Sequence, residues 1–503
     1  MPPLSRSHLN CMCRLASVCT APPLRPVPPL PCPSSSPAVC AHVSQHGASI
    51  VIAVSDQIVI VGCEVRIFSS SDGATFDGQD RNRLFAIGYG GHLSLEKIHL
   101  ANGRATSKVA GFEQGASQGG CVLIIDRDLG QGGAYASASF RMSDAKMSGC
   151  HVSYALGDDG KGGALCAYFR GADHAQVVLT NVAIDSTSSL LEGGALYFYG
   201  QVIATLVYVR ITSTRAGGNG GAIGSQQNSL SMNNCAIENT DSDQNGGAIW
   251  LNAAVVDLVW VNVSHTRAAF AGGTIYAAGA SRVQMEDVNI GDSFALTDGG
   301  VLYLSASSDV TLTGVTVSSY SARRNGGLVY SSNALVKLRN VTSYAGQAGG
   351  SGGLLYGTGT SQFDVLKLSG HATSASGAGG LAYFEAATSA RLDFCDLSTL
   401  SASAGPLAYL RGEDVVVQWT SISITGLQCS DGPVMTLIER EHPLLDPGAS
   451  RDSIRGLTVT MKNSSCEHSQ LIRAEGSSTR ACTGVDGSHS SIYNVFTGRS
   501  EPM

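Results

Sequence analysis

Six stretches decide the fold: GGAIWL at Gly246–Leu251, GGTIYA at Gly272–Ala277, GGVLYL at Gly299–Leu304, GGLVYS at Gly326–Ser331, GGLLYG at Gly352–Gly357 and GGLAYF at Gly379–Phe384. Their second glycines are Gly247, Gly273, Gly300, Gly327, Gly353 and Gly380, spaced by 26 or 27 residues. Working outward, GGALCAYF at Gly162, GGALYFYG at Gly193 and GGAIGS at Gly220 precede them. GPLAYL at Gly405 and GPVMTL at Gly432 follow, with Pro in place of the second Gly. Self-similarity at a fixed period of this size marks a solenoid, in which no repeat buries its apolar face alone.

A second block follows each glycine pair. VVLTNVAI carries Val177, Leu179, Asn181, Val182 and Ile184, and VQMEDVNI carries Val283, Met285, Asp287, Val288 and Ile290. Alternation of period two reads as strand. The phase flips at a corner residue, so the chain bends there and keeps facing one core. Asn181, Asn234, Asn262, Asp287, Gly314 and Asn340 are read as these corners, residue types that tolerate a left-handed backbone. Lys97, Arg210, Lys367, Phe394 and Trp419 are read at the equivalent place. The expected fold is therefore all-β: a right-handed parallel β-helix with three short strands per turn and roughly twelve turns.

Composition agrees. Ten of 15 prolines lie between Pro2 and Pro37, and none between residues 38 and 405. Proline cannot donate to a ladder, so strands flanked on both sides exclude it. We expect a disordered Pro-rich segment at 1–45 with a weak signal-peptide character, the β-helix over 46–440, and a partly irregular extension over 441–503. A net charge of −7 gives no reason to expect a nucleic-acid partner. No apolar run is long enough for a membrane helix. The 14 cysteines lack CxxC spacing, which argues against zinc. Cys235 and Cys395 fall at apolar strand positions and are read as buried thiols.

Within the first strand the second residue after each glycine pair is aliphatic and placed inward. The third is Tyr197, Trp250, Tyr276, Tyr303, Tyr330, Tyr356, Tyr383 and Tyr409. The fifth is polar at Asn252, Ser305, Ser332, Glu385 and Arg411, so the third and fifth are placed outward. The aromatic row is the candidate carbohydrate-binding stripe. The alternative is that like rings simply stabilise stacked strands.

The GGA[ILV] openings at Gly193–Ile223 and Gly246–Ile249, with the segment ATFDGQDRNRLFAIGYGGHLSLEKIHLANG at 74–103, resemble the polymorphic outer-membrane-protein-like right-handed β-helix repeat, of pectin-lyase-like fold. The resemblance covers about residues 50 to 440 and implies adhesion or surface display. The companion FxxN motif is absent, and residues 441–503 are too few for a translocator barrel. A secreted form, a fragment or a eukaryotic relative is expected, placed outside the cell or at its surface, outer-membrane-associated if bacterial.

The same fold hosts carbohydrate-active enzymes, whose chemistry needs clustered carboxylates. Only Glu385 lies in the regular first strands, and Asp257, Asp309, Asp364 and Asp393 fall at different offsets. No catalytic residue, metal or cofactor is assigned. The acidic loops Leu156–Gly163 and Asn239–Gly247 lack a calcium-loop spacing and are read as solvated. Three sequons, at Asn262, Asn340 and Asn463, are candidate glycosylation sites. The function expected is a non-enzymatic adhesion or surface-interaction scaffold, with glycans or another cell-surface protein as partner and a carbohydrate-binding or carbohydrate-active β-helix as the alternative.

Overall fold

The computed structural model describes residues 38–438 and parts of 453–483, except 44–49, 56, 70–72, 89, 106–117, 126–136, 154–159, 171–172, 413–414, 426, 430–433, 456–458, 463–471 and 476–481. Among the described residues every regular element is a strand, and the chain winds as a parallel β-solenoid of about 13 turns. It divides into two compact units, residues 1–215 with 227–229, and 216–226 with 230–503.

In the first unit the strands Val122–Ile125, Leu165–Phe169 and Leu196–Gly200 pair in parallel, one per turn. A longer strand, Ala138–Ser148, pairs with Ala175–Asp185 on the other side of the core. Ala38–Val43 already pairs with Glu64–Ser69, so strand pairing begins before residue 46. A disulfide joins Cys121 to Cys150.

In the second unit the first strands Ile249–Asn252, Ile275–Ala278, Leu302–Ser305 and Val329–Ser332 stack in parallel and in register. Ile249, Ile275, Leu302 and Val329 form one buried row facing the interior. Each such side chain contributes roughly 1.5–3 kcal/mol by leaving water. Pairing continues past residue 440: Ser453–Arg455 and Val459–Lys462 both pair with Val416–Thr425.

The glycine doublet has two separate causes. Gly246 is left-handed, with φ +68°. Gly247 is not, but a Cβ on it would lie 2.1 Å from the carbonyl oxygen of Gly273 one turn on. The first glycine turns the chain and the second lets two turns touch. A buried hydroxyl then satisfies that carbonyl row: Thr240 Oγ1 donates to Gly247 O at 2.8 Å and Ser293 Oγ to Gly300 O at 2.7 Å. The residue before the doublet ties successive turns together. Ala271 N donates to Asn245 Oδ1 at 3.2 Å, and Ser351 N to Asn325 Oδ1 at 3.0 Å.

The corner between the second block's two strands is left-handed at Lys97, Asn181, Asn234, Asp287, Gly314, Asn340, Lys367 and Phe394, as expected. Three assignments are corrected. Trp260 and Tyr208, with φ 53° and 55°, are the corners in place of Asn262 and Arg210, which lie two residues on and begin the next strand. Trp419 is fully buried, in one row with Leu392. Another corner, just after the first strand, varies between turns. In turns of 26 residues it holds one left-handed residue, Ala253 or Asn333. In the turns of 27 that begin at Gly273 and Gly300 it holds two, Gly279–Ala280 and Ala306–Ser307.

Candidate functional site: a tyrosine ladder

Strand alternation puts the third residue after each glycine doublet on the outer face of the first strand. Parallel in-register pairing then brings equivalent side chains together. In the second unit Tyr276, Tyr303, Tyr330, Tyr356, Tyr383 and Tyr409 form one unbroken stack. Successive ring centroids are 4.8, 4.8, 4.9, 4.9 and 5.2 Å apart, and the planes diverge by 7° at most. Trp250 stands in register with Tyr276. Contacts of this kind stabilise by about 0.5–1.5 kcal/mol each beyond burial.

The outward placement holds for Trp250, Tyr276, Tyr303, Tyr330 and Tyr409, which are half-buried. Tyr356 and Tyr383 retain only 8% and 7% exposure. Tyr197, in the first unit, is fully buried beneath Lys161, whose Nζ lies 5.0 Å from the ring centre and 3.3 Å from Glu192 Oε2. There the outward stack is instead half-buried Tyr168 on Tyr199, at 4.5 Å, with Arg170 over both rings. These two tyrosines were not singled out from the sequence, because both occupy the fifth place after the glycine doublet, in strands whose third residue, Cys166 or Tyr197, is covered.

The stacking changes what the ladder can do. A sugar that binds by stacking needs an open ring face, and each inner tyrosine has both faces against its neighbours. The ladder offers ring edges and a row of phenol hydroxyls, beside Ala278, Ser305, Ser332 and Thr358, all half-buried. Glu385 is held by the ladder. Its carboxylate accepts from Tyr356 at 2.8 Å and from Tyr383 at 3.4 Å.

Burial raises the phenols of Tyr303, Tyr330, Tyr356 and Tyr383 above the ordinary 10.0. Neighbouring rings add to this at Tyr303, Asp298 at Tyr330, and the bond to Glu385 at Tyr356. At Tyr383 a bond from Arg411 works in the opposite sense. These four phenols therefore stay protonated beyond the ordinary range. Below pH 10.0 their contribution to stability is complete. Above it, the unfolded chain releases protons that the folded chain keeps, so stability falls as pH rises. Urea midpoints followed from neutrality into strong alkali should decline beyond pH 10.0, less steeply in Tyr303→Phe with Tyr356→Phe. Identical pH slopes for variant and parent would refute this.

The carboxylates lie against cations. Asp309 is 3.6 Å from Lys337, Asp364 pairs with Arg339, and Asp393 is 2.7 Å from Arg391. Asp257 and Asp364 do share a row, with Gln284, Thr311 and Lys337 between them. Among the described residues no group of three or more His, Cys, Asp or Glu is placed to hold a metal ion.

The chain matches no family model, no curated protein and no solved structure.

The remaining sequence-derived sites divide. Asn262 and Asn340 are exposed. Asn463 lies outside the described residues. Cys235 and Cys395 are buried free thiols, and burial pushes the Cys395 thiol up to about 12. No helix of the described residues is long and apolar enough to cross a membrane, which says nothing of a β-barrel.

Proposed function

We propose that this chain is a non-enzymatic interaction scaffold, exported to a cell surface or beyond it, that holds a macromolecular partner along its tyrosine-bearing face. The supporting observation is the ladder itself: six rings locked into one plane-parallel stack along a regular sheet. A rigid, repetitive surface suits an extended partner, which is how solenoids commonly bind. The adhesion reading draws support from the resemblance of the glycine motifs to the polymorphic outer-membrane-protein-like β-helix repeat. The disulfide Cys121–Cys150 supports an oxidising compartment. A glycan partner is the second reading. It is favoured by the hydroxyl row, which would bind sugars by hydrogen bonds from ring edges in place of stacking. The ion pairs of Asp309, Asp364 and Asp393 argue against a hydrolytic acid pair.

The test is binding of the full chain to glycan arrays and to intact cells, with Tyr276→Phe, Tyr303→Phe and Tyr330→Phe combined. Phenylalanine keeps the stack and removes three hydroxyls. At about 0.5–1.5 kcal/mol per hydrogen bond, the loss should reach about tenfold or more. Full binding by the folded triple variant would exclude this face.

A further inference from the structure

We propose that Asn262 and Asn340 carry N-linked glycans and that these shield one face of the second unit, leaving the tyrosine face bare. The proposal rests on the export proposed above. The sequons start two places apart, Asn262 on the strand after the Trp260 corner and Asn340 at the corner itself, but they share one alternation. In each, the middle residue, Val263 or Val341, is buried in the core wall. Alternation then turns the asparagine and the hydroxyl residue, Ser264 or Thr342, to the outside. Asn262 Oδ1 accepts from Asn289 Nδ2 at 3.0 Å, which puts its own Nδ2 on the other branch of the amide. Asn340 is a left-handed corner, φ 53°, with its side chain exposed. The two lie on one sheet. Asn262 is in register with Asn289, then Thr316, then Thr342, the third residue of the second sequon. Three steps of about 4.8 Å separate the acceptors by about 14 Å along the stack. The ladder belongs to the other sheet, on strands that contain neither sequon.

The reaction takes a lipid-pyrophosphate-linked oligosaccharide, supplied with its transferase by the secretory lumen. A bond forms between Nδ2 and the anomeric carbon, the bond from that carbon to the pyrophosphate oxygen breaks, and the lipid pyrophosphate leaves. The amide loses one proton, and nothing is oxidised or reduced.

The full chain is given a cleavable export signal and a control sequon at its C-terminus, and expressed in a eukaryotic secretory host. Only molecules bearing the control glycan are read. Release with peptide-N-glycosidase in heavy-oxygen water should mark Asn262 and Asn340 as labelled aspartate. N262Q and N340Q should each remove one glycan, and Ser264→Ala and Thr342→Ala should do the same while leaving the asparagines in place. Unlabelled Asn262 and Asn340 in such molecules overturn the proposal. Retention in the cytosol without the added signal would count against export alone.

Discussion

Gly247→Ala should unfold the turns around it, at a loss above about 4 kcal/mol. The added methyl would meet Gly273 O at 2.1 Å and the backbone N and C of Arg267 at 2.7 Å. All three atoms belong to hydrogen-bonded backbone, so none can step aside as a flexible side chain would. Relief requires parting two turns, which breaks ladder bonds and opens the core. The matched control is Gly291→Ala. There the methyl's nearest neighbour is Ser318 Oγ at 3.5 Å, an ordinary contact, and the backbone φ is not left-handed. That variant should stay within about 1 kcal/mol of the parent. Thermal and urea unfolding of the purified full chain, followed by circular dichroism, separates the two. Equal stability of both variants would show that the doublets are not close-contact points.

Gly346 should accept a side chain without loss only when Tyr320 is cut back. The buried row Thr266, Ser293, Tyr320, Gly346 holds one large residue beside one with no side chain. Tyr320 is 2% exposed, and its hydroxyl bonds to Ser343 Oγ. A Cβ on Gly346 would lie 2.2 Å from that hydroxyl oxygen. Overpacking of this kind costs about 1–3 kcal/mol. Tyr320→Ser alone empties the space and should cost about 3–5 kcal/mol. Tyr320→Ser with Gly346→Thr restores the hydroxyl row of the turns before it. The double variant should beat the sum of its parts by about 1–3 kcal/mol. Additive losses would mean that Tyr320 and Gly346 do not share one space.

The glycine spacing and the alternation around Asn181 and Asp287 were enough to read the coil and its inner wall. Corners were legible where asparagine, aspartate or glycine occupied them. Trp260 was missed because the residue type of Asn262 was followed in preference to the phase of the neighbouring apolar residues. Val256, Leu258, Val261 and Val263 bracket Trp260 in the regular pattern. The buried hydroxyls of Thr240 and Ser293 were not legible, since a polar residue in a strand reads as outward. Alternation also told which side Tyr303 and Tyr330 occupy, but not the plane of their rings. Ring plane follows from the register of adjacent turns, and it determines whether a face is open.

The single or double left-handed residue after the first strand has a genetic consequence. Copies of unequal length can be gained or lost in tandem where slack falls at this exposed joint, as in the turns that begin at Gly273 and Gly300. The next glycine doublet returns the chain to step. Such a gene can drift in repeat size while its product keeps one unbroken stack.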